Sequence, residues 1–263
     1  MGKQKRSKNT YQKINTLFRR DADGIIMPNE SFTEPEFEYL AELKWRAEEK
    51  IDGTNMRIEV VPHPIDSDFG SLLGVEYLVR FAGKTDNAQI PKQLLEHMQT
   101  KFTDDKIYES LGLKKFISVD EFAEHGWLTN GRPDATLPPM YTIYGEGYGE
   151  GIQSGDWYIS DGVDFIVFDV KVNNMYLKTD SRDEIAKKLG ADVVPFIGDF
   201  TIYEAINYVM NGFRSRIAQH PEVKMAEGLV LRTKLGLRNR RGERLIVKIK
   251  YEDFQKYKHR LGI

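Results

Sequence analysis

From Lys44 onwards, short segments with the periodicity of β-strands dominate the chain. Trp45 to Glu49, Met56 to Val61 and Val75 to Ala82 alternate between apolar and polar residues or are rich in β-branched residues, which is typical of strands. Turn-forming residues separate the last two segments, so an antiparallel hairpin is the simplest arrangement. Stretches with helical spacing lie between the strand segments, and this order predicts an α+β fold of mostly antiparallel sheets flanked by helices.

Two of the predicted helices carry the signature of a capping box, in which a hydroxyl residue and an acid three positions later satisfy each other's backbone N–H groups. Ser181-x-x-Glu184 and Thr201-x-x-Glu204 predict helices that begin at these residues. Gly190 and Gly212 follow at suitable positions to end them, because glycine adopts the left-handed conformation that closes many helices.

The composition excludes several classes of protein. The 263 residues are 40% apolar and 30% charged, which is typical of a globular chain with a substantial core. Cysteine is absent, so disulfides, thiolate metal sites and a thiol nucleophile are excluded. The five histidines lack the spacing of zinc ligands. A net charge of −2 gives no overall positive excess for binding nucleic acid, so any such contact must come from local clusters.

We expect three parts along the chain: a lead-in at residues 1–43 that packs on or flanks the main domain, the main domain at residues 44–250, and a short tail at residues 251–263. No run of residues is apolar enough to span a membrane, and the basic start is not followed by the apolar stretch of a secretory signal. We therefore expect a soluble, cytoplasmic monomer that has no membrane partner.

Lys50 is the strongest candidate for a reactive group. It ends a predicted strand within Glu48-Glu49-Lys50-Ile51-Asp52-Gly53-Thr54-Asn55. The neutral amine of a lysine is a nucleophile, and Gly53 would let the backbone approach a ligand closely. Asp52 and Asn55 can hydrogen-bond a hydroxyl-rich substrate such as ribose. The same residues also suit a polar hairpin turn, so the rest of the chain must decide.

Four further stretches present acids or lysines near the end of a predicted strand. Each residue also has an ordinary interpretation, as a surface charge or as part of the core. Lys248 and Lys250 share one face of a strand whose other face is apolar, because side chains alternate along a strand. The four stretches are Tyr144 to Gly147, Phe165 to Asp169, Glu227 to Leu231 and Ile246 to Lys250.

In order and spacing, these stretches resemble the motifs of the covalent nucleotidyltransferases, the superfamily of polynucleotide ligases and mRNA capping enzymes. Asn55, where DNA ligases usually carry arginine, and Lys248-Ile249-Lys250 resemble the RNA-ligase branch. Residues from about Tyr11 to Lys250 resemble the RNA ligase 2-like proteins common in phages. The motifs that carry the resemblance are Lys50-x-Asp52-Gly53-x-Asn55, Gly145-Glu146-Gly147, Phe168-Asp169, Glu227-Gly228-x-Val230 and Lys248-x-Lys250.

The resemblance implies the nucleotidyltransferase fold and a three-step ligation of RNA. The lysine attacks the α-phosphate of ATP and becomes a lysyl-adenylate, AMP is passed to an RNA 5′-phosphate, and a 3′-hydroxyl then displaces AMP. The implied cofactors are ATP, which becomes covalent AMP on Lys50, and Mg²⁺ or Mn²⁺. The implied partner is RNA, as a nicked or bridged duplex or as single-stranded ends, and a phage-encoded protein would act in the host cytoplasm.

The resemblance also assigns roles to the catalytic residues. Lys50 is the nucleophile, and Lys248 and Lys250 are cations that meet the negative charge developing on the phosphate oxygens. Glu227 and Asp52 are the candidate metal ligands.

The remaining assignments concern the nucleotide. Phe168 would stack on adenine, Glu146 and Asn55 would contact the ribose, and either Glu48 or Glu49 would accept a hydrogen bond from the adenine amino group. The nucleotide-binding set that the resemblance implies is Glu48, Glu49, Ile51, Asn55, Lys84, Glu146, Phe168, Asp169, Glu227, Lys248 and Lys250.

Two features depart from the family pattern. Lys84 stands where many relatives carry an arginine, and lysine keeps the charge but loses the bidentate fork, unless Arg80 substitutes. Residues 251–263 are too few for the OB domain of DNA ligases and capping enzymes, so we expect none. RNA would then be held weakly and in a salt-sensitive way. The basic candidates for this contact are the Arg238 to Arg244 turn, Lys256, Lys258, Arg260 and the N-terminal tail.

Three alternative functions remain open at the level of sequence. The chain could seal DNA nicks, it could be a GTP-dependent capping guanylyltransferase, or it could be an inactive nucleic-acid-binding module derived from a ligase. The intact lysine and the motif acids oppose the last alternative. A phosphate-binding loop at residues 145–151 is disfavoured because the run lacks the Gly-x-Gly-x-x-Gly register and the Gly-Lys-Ser/Thr ending.

Overall fold

A computed structural model of the chain describes residues 10–66, 72–125, 128–129, 132–133, 138–153, 155, 157–219 and 225–262. The strands are β1 (Asn15–Thr16), β2 (Trp45–Lys50), β3 (Thr54–Asp66), β4 (Leu72–Gly83), β5 (Phe116–Ser118), β6 (Leu128–Thr129), β7 (Arg132–Pro133), β8 (Tyr141–Gly149), β9 (Val163–Val172), β10 (Met175–Tyr176), β11 (Asp192–Val193), β12 (Phe196–Phe200), β13 (Gly228–Thr233) and β14 (Ile246–Lys250). The helices are α1 (Pro35–Tyr39), α2 (Lys92–Lys101), α3 (Asp104–Leu111), α4 (Val119–Glu124), α5 (Thr179–Leu189), α6 (Ile202–Met210) and α7 (Tyr251–Leu261).

The chain forms two compact units, and each unit is assembled from three separate segments. The first unit comprises Met1–Tyr11, Thr54–Gly147 and Val163–Val193. The second unit comprises Gln12–Gly53, Tyr148–Gly162 and Val194–Ile263.

The sheet of the first unit has the strand order β10-β9-β8-β3-β4-β5, and β11 pairs with β9. Strand β10 is antiparallel to β9, and β3 is antiparallel to both β4 and β8. Strand β4 is antiparallel to β5, whereas β11 is parallel to β9. The predicted hairpin is confirmed, since β3 and β4 pair along most of their length, from Met56 opposite Gly83 to Asp66 opposite Leu72.

The sheet of the second unit has the strand order β1-β14-β13-β2-β12 and is antiparallel except for β1 beside β14. One face of this sheet belongs to the hydrophobic core, which also takes in the apolar side of α6. Because side chains alternate along a strand, the residues between these core positions lie on the other face. The strand residues on the core face are Trp45, Ala47, Leu229, Leu231, Val247 and Ile249.

The capping-box predictions had different outcomes. Thr201 caps α6 with both reciprocal hydrogen bonds to Glu204, as predicted. The prediction for Ser181 is wrong, because α5 begins at Thr179 and Lys178 is its N-cap. An acid in the first turn suits the positive end of the helix dipole, and Asp180 supplies it.

The segments before and after the predicted main domain also contain secondary structure. Asn15–Thr16 is the edge strand β1 beside β14, and residues 251–261 form helix α7. The division of the chain into three parts stays a prediction. A role for the basic N-terminal tail also stays a prediction, because that tail lies outside the described residues. No helix in the described part of the chain is long and apolar enough to cross a membrane.

Candidate active site

The register of the second sheet places Lys50 and Lys250 on either side of one glycine. Gly228 of β13 is paired with Lys50 of β2 on one side and with Lys250 of β14 on the other. Residues paired directly across an antiparallel ladder project from the same face of the sheet. Both lysines therefore project from the face opposite the core, and strand pairing alone brings them together.

Glu227 binds both lysines with one carboxylate. Its Oε2 lies 2.5 Å from Lys50 Nζ, and its Oε1 lies 2.6 Å from Lys250 Nζ. The three side chains are only 12–28% exposed, so these charge-assisted contacts are less screened than surface pairs. Desolvation is the largest influence on Lys250 and lowers its pKa, but the hydrogen bond and charge of Glu227 outweigh it and the net pKa is raised.

Gly228 is required at this position by its surroundings. Its φ is +151°, a conformation that residues with a side chain rarely adopt. A Cβ atom there would lie 2.0 Å from the carbonyl oxygen of Ile249 and 2.9 Å from the Cα atom of Lys250. The glycine therefore allows β13 and β14 to hold Glu227 between the two lysines.

The next row of the same face contains Glu48 and Lys248, which are both paired with Val230. Glu48 is 1% exposed. Its Oε1 accepts a hydrogen bond from Arg46 Nε and its Oε2 accepts one from Arg232 Nε, each at 3.1 Å. The sequence analysis did not identify these arginines, although both lie at alternate positions from motif residues on the same strands.

Glu49 points to the opposite face from Lys50 and is also buried. The Ser215 hydroxyl donates to its Oε1, and the backbone N–H of Arg216 donates to its Oε2 at 2.8 Å. Burial raises the pKa of Glu49, although these hydrogen bonds oppose the shift. Glu48 and Glu49 thus both bind groups of their own unit, and the adenine contact assigned to one of them stays a prediction.

The loop that follows Lys50 is held by the segment at residues 148–162. The backbone N–H of Asp52 donates to the hydroxyl oxygen of Tyr158 at 2.8 Å. A Cβ atom at Gly155 would lie 2.7 Å from the Asp52 carbonyl oxygen, so the two segments touch backbone to backbone. Tyr158 is fully buried and its pKa is raised by that burial. The sequence did not reveal Tyr158, because a tyrosine that only supports a neighbouring loop belongs to no motif.

The candidate metal ligands are Glu227 and Asp52 of the second unit. Within the described ranges, no group of three histidine or acidic side chains could hold a metal ion. Mg²⁺ is usually bound by one or two carboxylates together with water and substrate phosphate oxygens, rather than by a cage of protein ligands. Glu227 contacts both lysines, and the charge of Asp52 also acts on the pKa of Lys250, so these two carboxylates fit such a shared site.

Phe168 and Asp169 lie on β9 in an aromatic cluster of the first unit. The Tyr11 hydroxyl donates to Asp169 Oδ2 at 2.8 Å, and the Tyr11 ring meets Phe168 edge-on with 4.9 Å between centroids. Tyr144 lies nearly parallel to Phe168 at 6.5 Å. The buried Arg182 donates from Nη1 to the Phe168 carbonyl at 3.0 Å. Tyr11 was missed because it lies far from Phe168 in sequence, and Arg182 was missed because no motif marks it on helix α5.

Asn55 and Glu146 face each other across β3 and β8. In the described part of the chain, no hydrogen-bond donor reaches the buried Asn55 Oδ1 atom. The glycines beside Glu146 make room for neighbouring side chains. A Cβ atom would lie 2.4 Å from the Phe165 ring at Gly145 and 2.3 Å from Leu94 at Gly147.

Three further predicted residues differ in their exposure. Lys84 is exposed in the turn after β4, Arg80 is exposed on β4, and Ile51 is buried beside Lys50. The basic turn is closed by a bridge between Arg238 and Arg244. Of the predicted site residues, the structure brings together Lys50, Glu227 and Lys250 in the second unit, Phe168 with Asp169 in the first, and Asn55 with Glu146 in the first.

A family model and several solved structures match the chain. The RNA ligase family model matches residues 43–250. A Naegleria gruberi RNA ligase with PPi matches with a TM-score of 0.50 at 19% identity, covering 95% of this chain and 63% of that chain. A lysine-to-alanine mutant of the same ligase with ATP and Mn gives a TM-score of 0.49 at 19% identity, covering 94% and 63%. An apo mutant gives 0.49 at 20% identity, with the same coverage.

The structural match at a TM-score of 0.50 establishes the fold and confirms the predicted α+β class. The chain spans 63% of the length of these structures, which is less than two thirds. No curated protein matched the chain in the sequence comparison.

Proposed function

The chain belongs to the RNA ligase family, as its motifs predicted, and on that premise we propose that it is an ATP-dependent RNA ligase. It joins RNA 3′-hydroxyl and 5′-phosphate ends through a lysyl-AMP intermediate on Lys50. The observation that carries the proposal is the contact of one carboxylate, Glu227, with both Lys50 and Lys250. Membership of the phage-type branch stays a prediction.

In the first step, the Lys50 amine attacks the α-phosphorus of ATP. The bond from Nζ to phosphorus forms, the bond from phosphorus to the bridging oxygen breaks, and pyrophosphate leaves. The amine must lose a proton to attack. That proton passes to water, while Glu227, whose Oε2 lies 2.5 Å from Nζ, stays ionised.

In the next two steps the nucleotide leaves the protein. An oxygen of the RNA 5′-phosphate attacks the α-phosphorus and releases Lys50, and the 3′-hydroxyl of the second RNA end then attacks the 5′-phosphate and releases AMP. Negative charge develops on non-bridging phosphate oxygens in each step, and preorganised cations stabilise it. Lys250, whose pKa is raised, and Lys248 supply that positive charge.

A divalent cation, Mg²⁺ or Mn²⁺, would be held by Glu227 and Asp52. When bound, it would neutralise charge on the phosphate oxygens.

The nucleoside is held by residues of the first unit. Phe168 offers its ring to adenine. Tyr11 packs edge-on against that ring, and Arg182 binds the backbone carbonyl of the same residue. Asn55 and Glu146, which lie opposite each other on β3 and β8, would contact the ribose.

The decisive experiment is an intact-mass measurement of the protein after incubation with ATP and Mg²⁺. We expect one added AMP, located on Lys50 by peptide mapping, and none in Lys50→Ala. Lys13→Ala, which changes another lysine near the start of the described chain, is the control and should be modified normally. Absence of AMP on Lys50 in the wild-type protein would overturn the proposal.

Substrate choice requires a second set of assays. Parallel incubation with GTP separates a ligase from a capping enzyme, and sealing of matched RNA, DNA and hybrid nicks separates RNA from DNA ligation. We expect ATP and RNA to be preferred, with RNA affinity that falls as salt rises. RNA affinity that is unchanged between low and high salt would exclude the basic contacts proposed at Arg238 to Arg244.

A further inference from the structure

Arg57 of β3 is a buried cation that binds three groups of the first unit. The residue is 1% exposed. Its Nε donates to Glu59 Oε1 at 2.7 Å. One terminal nitrogen donates to the carbonyl oxygen of Gly83, and the other donates to Asp86 Oδ1. The planar fork of arginine can serve three such partners at once, which a lysine ammonium cannot do with the same geometry.

Two of these partners enclose Lys84. Gly83 is the last residue of β4, and Asp86 follows three positions later. The buried guanidinium therefore binds the turn on both sides of Lys84. The turn is closed further by a hydrogen bond from the Ala88 N–H to the Thr85 carbonyl, and a Cβ atom at Gly83 would lie 2.8 Å from that of Ala88.

The charges of this cluster argue against Arg57 as a ligand contact in its own right. One guanidinium faces two carboxylates, Glu59 and Asp86, so the three groups together carry a net negative charge. At 1% exposure, Arg57 also has no surface to offer. Lys84 is the exposed cation of the turn, and it is the group that an anionic ligand would meet.

We propose that Arg57 and Asp86 are positioning residues that hold the turn so that Lys84 is presented to the nucleotide. The inference rests on the proposed function and on the nucleotide contact that the family resemblance assigns to Lys84. Ordering a flexible residue costs backbone entropy, and a turn ordered before binding avoids that cost when the ligand arrives. The loss of the arginine fork at position 84 makes such ordering more important, because a lysine has less geometric selectivity of its own.

Asp86 gives a cleaner test than Arg57. Its side chain is 60% exposed, so its removal threatens the fold less than removal of a buried cation. The variants are Asp86→Ala, Lys84→Ala, the double variant and Asp86→Asn, which keeps an oxygen that can accept from the guanidinium. Glu96→Ala is the matched control, since Glu96 is an exposed acid of the same unit, paired with Lys92.

The measurement is the rate of lysyl-AMP formation against ATP concentration, which separates KM from the rate at saturation. We expect Asp86→Ala to raise KM about five- to tenfold with little change at saturation, Asp86→Asn to have a smaller effect, and Glu96→Ala to have none. The double variant should be no worse than Lys84→Ala, because residues that act through one another are not additive. Hydrogen exchange of residues 84–88 without ATP should be faster in Asp86→Ala.

The outcomes distinguish failure of the positioning role from failure of the proposed function. If Lys84→Ala weakens ATP use but Asp86→Ala does not, or if the two effects add fully, the positioning role is wrong while the proposed function stands. If Lys84→Ala leaves ATP use unchanged, the nucleotide contact assigned to Lys84 is wrong and the positioning role falls with it. Loss of lysyl-AMP in the wild-type protein would instead overturn the proposed function.

Discussion

The candidate residues of the two units are held in place by different means. In the second unit, Lys50, Gly228 and Lys250 are neighbours because three strands pair in one register, and charge dominates their contacts. In the first unit, Phe168 packs against the rings of Tyr11 and Tyr144, and Arg182 binds its backbone carbonyl, so aromatic packing dominates.

This difference suggests a division of labour in the proposed reaction. A group set by backbone register suits the reacting atoms, where a displacement of about 1 Å can cost on the order of 100-fold in rate. A group set by packed rings suits the binding of a flat base, whose contact is broad and tolerant. Changes in the second unit should therefore act mainly on the rate at saturating ATP, and changes in the first unit mainly on KM.

Gly228→Ala should have the largest effect, because the new Cβ would meet the Ile249 carbonyl at 2.0 Å and push β13 away from β14. We expect lysyl-AMP formation at saturating ATP to fall by on the order of 100-fold. Gly236→Ala is the matched control. Gly236 also has a positive φ but nothing within 4 Å of its would-be Cβ, so it should lose only about 1 kcal/mol of stability and keep its activity. Equal losses in both variants would contradict a role for register.

Phe168→Ala should come next and should act on affinity. Loss of a stacking ring costs about 1–3 kcal/mol per base, so KM for ATP should rise tenfold or more while the rate at saturation changes little. Phe116→Ala, which removes a 45% exposed ring of the same unit, should leave both parameters unchanged. A fall in rate at saturation without a change in KM would erase the contrast between the units.

Tyr158→Phe tests the second unit with a single oxygen. It removes the acceptor for the Asp52 N–H, and an unsatisfied N–H costs about 1–3 kcal/mol. We expect the rate of lysyl-AMP formation, measured in fixed-time assays, to fall about tenfold, with KM for ATP little changed. Tyr203→Phe, on an exposed tyrosine of α6, should behave as wild type; a KM effect in Tyr158→Phe would argue that this hydroxyl serves binding.

Tyr11→Phe should have the smallest effect. It removes the hydrogen bond to Asp169 but keeps the ring against Phe168. A neutral donor to a carboxylate contributes about 1.5–3 kcal/mol at most, so urea titration should show a modest loss of unfolding free energy, and KM for ATP should rise only a few-fold. No change in either quantity would mean that Asp169 has no part in orienting Phe168.

The sequence predicted the parts of the site that depend on local pattern. The alternation of Ile246 to Lys250 correctly separated two lysines from the apolar face. The hairpin of β3 and β4 and the cap at Thr201 were predicted for the same reason. Each of these features is decided by residues close together in the chain.

The features that the sequence did not predict depend on contacts between distant residues. Tyr11 and Asp169 are 158 positions apart, and Asp52 and Tyr158 are 106 apart. No periodicity links such partners, and tyrosine and arginine are common enough to carry no signal alone. Ser181 failed for a different reason, because a hydroxyl and an acid with capping spacing also occur inside a helix that starts earlier.

The chain passes between its two units five times, after Tyr11, Gly53, Gly147, Gly162 and Val193. Neither unit is thus a continuous stretch that could be cloned, swapped into another protein or released by one proteolytic cut. One of these passages separates Lys50 from Asn55, so that a six-residue motif is shared between both units. An engineer who wishes to exchange the nucleoside-binding part for another specificity must therefore splice at several junctions, one of them within the motif of the reactive lysine.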